Sequence, residues 1–272
     1  MTRPVTASVL HHVEHVMGMA VSVDVREPAP APGALADALR WLHHVDATFS
    51  TYRDDSEISR FGFGEIGIDE LSHDVEDILL RCIELTVVTG GAFDAFAVPA
   101  PNGTLLDPSG LVKGWSIERA AAIFEAAGAT NFCINAGGDI AVRGEPAPGE
   151  AWRVGIRHPE HVDKLALAFE VRGPIGVATS ATYERGAHIV DPRVGTPTTE
   201  LASATVVGPN LGTADAFATA AFVIGVDAID WIGTQPGYHV YLITHDGRTC
   251  WSPGFPHPAS TMSPSFIASR QN

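Results

Sequence analysis

The sequence predicts an α+β protein in which helices are layered on a largely antiparallel sheet, and three observations carry the prediction. Stretches with apolar residues at helical spacing alternate with β-rich stretches in blocks, not in strict βαβ order. Between residues 131 and 180 the short segments "NFCIN", "DIAVRG", "AWRVGIRH", "LALAFEVRG" and "GVATS" follow one another, separated by Gly, Pro or Asp, as in an antiparallel meander. Near the end, "YHVYLITHDGRTCWS" reads as a hairpin around Asp246-Gly247.

Each element follows in order. An opening strand is expected from Met17 to Arg26, where Val21, Val23 and Val25 alternate with Ser22 and Asp24. After the loop "PAPAPG", Leu35, Leu39, Leu42 and Val45 recur at helical spacing and predict a helix over 34–48. A second helix has Ser72 as its cap, Val75, Ile78, Leu79, Cys82 and Leu85 as its apolar face, and Gly90-Gly91 as its stop. A third is expected from Ser116 to Ala127, with Ile117, Ala121 and Phe124 inward and Gly128 ending it. The fourth is "GTADAFATAAFVIG", 212–225, with Thr213 available as N-cap, and a fifth lies near Val226 to Gly233. Residues 1–256 read as one compact unit, and the Ser- and Pro-rich tail from His257 to Asn272 as mobile.

Composition narrows the function. With 272 residues, 45% hydrophobic and 18% charged, the chain is a packed globular protein and not a disordered one. A net charge of -15 argues against nucleic acid or an anionic membrane as partner. An anionic ligand would have to be met locally by a metal ion, a few placed cations or helix N-termini. Cys82, Cys133 and Cys250 are too widely spaced for a disulfide framework or a CxxC metal site. The first residues, "MTRPVTASVLHHVEHV", lack a continuous apolar segment, and no run approaches the ~18 apolar residues of a membrane span, so a cytoplasmic protein without membrane insertion is expected.

Six segments concentrate reactive residue types at element ends. In "FSTYR", 49–53, Ser50, Thr51 and Tyr52 either close a helix or face a ligand. In "GGAFDAF", 90–96, Asp94 is able to accept a ligand's hydrogen bonds, or equally to serve a turn. In "LDPSGLVKGWSIERA", 106–120, Asp107 and Lys113 occupy a Pro- and Gly-containing loop feeding a helix N-terminus, an arrangement suited to a phosphate. In "INAGGDIAVRG", 134–144, Asp139 follows a tight Gly137-Gly138 turn that matches neither a P-loop nor a dinucleotide fingerprint. In "TSATYERGAHIVDPRVGTP", 179–197, His188 stands three residues before Asp191-Pro192, either as a proton carrier or as a structural residue. In the fourth helix Asp215 and Thr219, four apart, share a face. The helix dipole alone explains Asp215, but a carboxylate and a hydroxyl one turn apart also make two legs of a hard-oxygen Mg²⁺ site.

Taken in this order, "VMGMAVSV", "STYRDDSEISRF", "GGAFDAFAVP", "LDPSGLVKGWSIERA", "INAGGDIAVRG", "ATSATYER", "HIVDPRVGTP" and "TADAFATAAFVIG" resemble the ApbE family, the FAD:protein FMN transferases. The resemblance implies an ApbE-like (T-fold-like) layered fold and a Mg²⁺-dependent enzyme. Such an enzyme transfers the FMN half of FAD to a Thr or Ser of an acceptor flavoprotein in trans and releases AMP. It further implies that Asp215 and Thr219 are metal side chains, with backbone oxygens of Gly110 and Ala218 beside them. FAD contacts would fall to Met17, Tyr52, Ala92, Phe93, Asp94, Asp107, Lys113, Thr179, His188 and Ile189. His188 is expected as the base that takes the acceptor proton, with Asp94 and Asp139 as alternates; Lys113 with Mg²⁺ would stabilise the developing charge, and Asp215 joins the catalytic residues as a metal side chain. The family's MGT is Met17-Gly18-Met19 here, and its TSG is Thr179-Ser180-Ala181. An FAD pyrophosphatase and a non-catalytic flavin-binding protein are the competing readings.

Overall fold

A computed structural model describes residues 9–97, 99–161, 163–182 and 189–256. The expectations for His188 and for the tail His257–Asn272 lie outside the described residues.

The chain opens on a hairpin of β1 (Leu10–Val16) and β2 (Met19–Val25), antiparallel and in register with His12 opposite Val23. The single strand expected from Met17 to Arg26 is therefore only the second arm. Met17 and Gly18 are the turn, with φ of 55° and 71°, the left-handed pair that matches the twist of a two-residue hairpin. The first arm, "LHHVEHV", escapes notice because it is an outer strand of mostly polar residues.

Among the described residues the α-helices are α1 (Ala34–Phe49), α2 (Glu57–Gly62), α3 (His73–Val88), α4 (Ser109–Ala126), α5 (Leu211–Ile224) and α6 (Ala228–Ile232). The remaining strands are β3 (Phe132–Ala136), β4 (Asp139–Arg143), β5 (Trp152–Arg157), β6 (Leu165–Val171), β7 (Ile175–Ala181), β8 (Val190–Asp191), β9 (Thr196–Pro197), β10 (Leu201–Gly208), β11 (His239–Thr244) and β12 (Thr249–Trp251). Of the described strands, β1 and β2 included, eight form one antiparallel sheet in the order β1-β2-β3-β4-β7-β10-β11-β12. The expected meander holds for β3 and β4 and then breaks. β5 and β6 leave as a separate hairpin, and β7 returns to pair directly with β4. The reason lies in side-chain volume. Trp152, Val154 and Ile156 on β5 and Phe169 on β6 bury themselves against Ile140, Val142, Val177 and Val207, making a second core on the sheet's far face. The main core lies on the other face, between the sheet and the helices.

The third helix is corrected at its start. α4 begins at Ser109, not at Ser116, so Lys113 stands on the helix and not in a loop before it. Asp107 Oδ1 accepts the Ser109 amide at 3.0 Å, and Pro108 has a φ of -83°, so the helix is primed early. Gly110 and Gly114, which read as loop residues, are glycines because neighbours press on them. A Cβ at Gly114 would stand 2.6 Å from the Leu211 carbonyl oxygen and 2.8 Å from Asp215 Cβ.

Two caps are also corrected. Ser72 occupies the N-cap position of α3, but its hydroxyl makes no cap bond and is buried without a hydrogen-bond partner. At α5 the cap is Asn210, whose Oδ1 accepts the Thr213 amide at 2.9 Å. Thr213 is inside the helix, its hydroxyl accepting from Arg81 at 2.7 Å. Asp215 consequently falls beyond the first turn, where a dipole effect fades, and is only 2% exposed.

The expectation that no stretch is long and apolar enough to cross a membrane is likewise overturned. Leu211–Ile232, 22 residues with a mean hydropathy of 1.4 in its most apolar window, meets that length and composition, with 72% of the window buried inside the fold. Its apolar side chains pack in the main core, where Phe217 stands edge-on to Trp231 and Tyr238.

Burial also sets thiol reactivity. Desolvation pushes the Cys82 thiol up to about 12, with Asp94 and Asp107 adding to it, and raises Cys133 further. Native protein treated with a disulfide reagent at pH 8 is expected to label Cys250, half-buried in β12, while Cys82 and Cys133 react only on unfolding; peptide mass mapping reads the result.

Candidate active site

One cavity of about 580 Å³ gathers residues from seven segments distant in sequence. The β1–β2 turn supplies Met17, Gly18 and Met19, and the C-terminal end of α1 with its exit supplies Val45, Asp46, Phe49 and Ser50 to Tyr52. Ala92 to Asp94 come from the turn after α3, and Asp107, Ser109, Gly110, Val112 and Lys113 from α4 and its approach. Thr179 to Ala181 close β7, Ile189, Val190 and Pro192 belong to the DP segment, and Asp215 and Thr219 face inward from α5. Every described residue singled out from sequence for binding or metal lies on this wall, except Ala218. That residue is wholly buried in α5 and contributes no surface to the cavity.

Three charged side chains meet at the floor, of which Lys113 and Asp215 line the cavity and Asp139 is buried beside Lys113. Lys113 Nζ lies 3.0 Å from Asp139 Oδ2 and 3.8 Å from Asp215 Oδ1. Both carboxylates are almost fully buried, and the ammonium is partly open to the cavity. Asp215 Oδ2 accepts the Gly114 amide at 2.9 Å, a bond that ties α5 to α4. Asp139 Oδ1 accepts the Thr179 amide at 3.2 Å, tying β4 to β7 where their ladder ends. Sequence reasoning left Asp139 as a turn residue or an alternate base. Its signal was its place after Gly137-Gly138, but the turn itself is closed by Asn135 Oδ1 on the Gly138 amide, which leaves Asp139 to reach Thr179 and Lys113.

Thr219 stands one turn above Asp215, and its hydroxyl is 3.2 Å from Ser180 Oγ. A Cβ on Gly110 would come within 3.3 Å of that hydroxyl and 3.2 Å of the Phe93 ring, so glycine lets the first turn of α4 close onto both. Asp94 accepts the Phe96 amide at 2.8 Å, and Thr89 receives the Phe93 amide at 3.0 Å; together they fix the turn that carries Ala92 to Asp94. Tyr52 is exposed at the cavity edge, just past the end of α1, so the segment ends a helix and also faces the cavity.

Charge on the wall is lopsided. Asp46, Asp94, Asp107 and Asp215 line it together with Lys113, the one cationic side chain among the described lining residues. A pyrophosphate would meet net negative charge here unless a cation came with it. One buried carboxylate, a hydroxyl and the nearby backbone of Gly110 are hard oxygen donors of the kind Mg²⁺ takes with phosphates and water, so the residues present fit that ion. Among the described residues no group of three His, Cys, Asp or Glu stands ready to hold a metal, and a softer metal finds no cluster.

The DP segment is held by Asp191, which accepts from Arg193 at its backbone amide (2.9 Å), Nε (2.8 Å) and Nη2 (2.7 Å). Hydrogen bonds from that guanidinium hold the Asp191 carboxyl below the usual carboxylate range. A depressed folded value means the stabilisation is complete above about pH 4 and is lost as pH falls through the folded value. Ligand affinity is therefore expected to hold down to about pH 4 and to drop below it as this turn loosens, and Arg193→Met should flatten that part of the profile.

The fold and the cavity together define the class. The solved structure "Flavin Transferase ApbE from Vibrio cholerae" matches 90% of this chain and 97% of its own with a TM-score of 0.77 at 24% identity. An ApbE protein from Thermotoga maritima matches 90% of this chain and 97% of its own with a TM-score of 0.78 at 21% identity. The chain belongs to the ApbE family, whose model matches residues 17–102 and 97–242. A curated relative from Haemophilus influenzae, named "FAD:protein FMN transferase", is 28% identical over 261 residues, covering 74% of this chain and 75% of that protein. The Escherichia coli K12 protein of the same name is 29% identical over 179 residues, covering 61% of this chain, which spans about half of that relative's length.

Proposed function

We propose that the chain is an FAD:protein FMN transferase, an enzyme that moves the FMN half of FAD onto a Thr or Ser hydroxyl of an acceptor protein and releases AMP. The observation that carries the reading is the convergence of Lys113, Asp215, Thr219 and Gly110 on one cavity with Met17, Tyr52, Ala92, Phe93, Asp94, Asp107, Thr179 and Ile189. The cavity is of a size that holds a cofactor-like molecule.

In the reaction the acceptor oxygen bonds to the FMN phosphorus, the bond from that phosphorus to the bridging oxygen breaks, and AMP leaves with the bridging oxygen. Asp215, Thr219 and the Gly110 carbonyl would hold Mg²⁺, which when bound would supply charge to neutralise the pyrophosphate. Lys113 adds a fixed positive charge beside the departing phosphate, where negative charge grows. Thr179, Ala92, Phe93, Met17 and Tyr52 line the same cavity and would contact FAD there. The acceptor proton goes to a base, which we assign to His188 from its place three residues before Asp191-Pro192.

The test is incubation with FAD, Mg²⁺ and a candidate acceptor flavoprotein, read by intact mass. An acceptor gaining the mass of FMN, with AMP in solution and no gain when EDTA is present, supports the proposal. Free FMN with an unmodified acceptor makes the chain a pyrophosphatase, and bound FAD left intact makes it a binding protein; either result overturns the transfer.

A further inference from the structure

We propose that Asp139 is a positioning residue for this reaction, acting through Lys113, and the inference rests on the transferase reading above. Asp139 is 1% exposed, and its two oxygens have different tasks. Oδ1 is committed to the Thr179 amide, which locks the carboxylate plane to the end of the sheet. Oδ2 is buried, makes no hydrogen bond of regular geometry, and faces the Lys113 ammonium at 3.0 Å.

Lys113 is a long, flexible cation on α4, and a point charge of this kind has no preferred direction of its own. Among the described residues its shorter carboxylate contact runs to Asp139 and a longer one, 3.8 Å, to Asp215. Asp139 thus draws the ammonium toward the sheet end at Thr179, away from full pairing with Asp215. A carboxylate that Lys113 closed on completely would be neutralised and a poor donor to a cation; with the ammonium held on Asp139, Asp215 keeps its charge for that use. The same tether fixes Nζ at one point of the cavity floor before any ligand arrives. Fixed charge of this sort acts on charge that develops during reaction more than on ground-state binding. Removing the Asp139 charge also removes a repulsion toward an anionic ligand, so affinity and turnover should respond in opposite directions.

The experiment uses Asp139→Asn, which keeps an oxygen for the Thr179 amide and deletes the charge facing Lys113. Its FAD dissociation constant is measured by flavin fluorescence with Mg²⁺ present, and its FMN transfer rate with an acceptor at saturating FAD, each also in a Lys113→Ala background. A tenfold or greater fall in turnover with FAD affinity unchanged or tighter is expected, together with less than a twofold further effect of Asp139→Asn when Lys113 is already alanine. Turnover within twofold of the parent, or an equal loss in the presence and absence of the lysine, overturns the role. A thermal melt accompanies each variant, and an unfolded Asp139→Asn protein also overturns it, since the residue would then be needed for folding. A parent protein that binds FAD but transfers nothing breaks the transferase reading instead, and is recognised before any variant is compared.

Discussion

Replacing Asp215 by asparagine is expected to lower FMN transfer by at least about a hundredfold while leaving the fold intact, the largest functional effect this site predicts. Asparagine still offers an oxygen to the Gly114 amide, so the bond of 2.9 Å that ties α5 to α4 survives. What disappears is the negative charge opposite Lys113 and the one carboxylate that lines the cavity from α5. Alanine is the harsher change. It also removes the charged hydrogen bond between Asp215 and the Gly114 amide, at a cost of about 1.5–3 kcal/mol, and its loss of activity would mix chemistry with stability. Transfer rates over a Mg²⁺ titration, beside a thermal melt, separate the two. If Asp215→Asn keeps more than a tenth of the parent rate at saturating Mg²⁺, the carboxylate is not part of the metal site.

Gly114→Ala should be the most damaging small substitution in the helical layer. The added methyl would meet the Leu211 carbonyl oxygen at 2.6 Å, Asp215 Cβ at 2.8 Å and Gly212 Cα at 3.0 Å, two of them backbone atoms of α5 that cannot rotate aside. Overpacking of this kind costs about 1–3 kcal/mol, which in a chain of this size lowers Tm by roughly 3–10 °C. The helices must separate to admit the methyl, and Asp215 and Lys113 ride on the two that move. Transfer should therefore fall by more than the loss of folded protein explains. A Gly114→Ala enzyme with parental Tm and rate would show that α4 and α5 yield to each other without consequence.

The sequence made the layered α+β architecture legible because its signals were local. The spacing of Leu35, Leu39, Leu42 and Val45 marks α1, and Asp246-Gly247 marks the β11–β12 turn. β10 was missed because all eight of its residues are buried. A strand covered on both faces shows no alternation, and "LASATVVG" is too small-residued to announce itself otherwise. The early start of α4 was hidden by Gly110 and Gly114, whose purpose is contact with α5 and Phe93, partners invisible along the chain. The same limit applies at the site. Asp215 and Thr219 were readable as a pair because a helix brings them together, but the Asp139–Lys113 pair joins a strand to a helix and depends wholly on tertiary structure.

The β5–β6 hairpin touches none of this chemistry, yet it decides what kind of surface the chemistry rests on. It covers the far face of the sheet with Trp152, Val154, Ile156 and Phe169, so that β4 is buried on both sides along its whole length. Water therefore cannot enter from below to reorient the Asp139 carboxylate or to blunt its field. The dipoles and charges at the cavity floor are set when the chain folds and need no rearrangement when substrate arrives, which makes the hairpin a dielectric seal for a preorganised site.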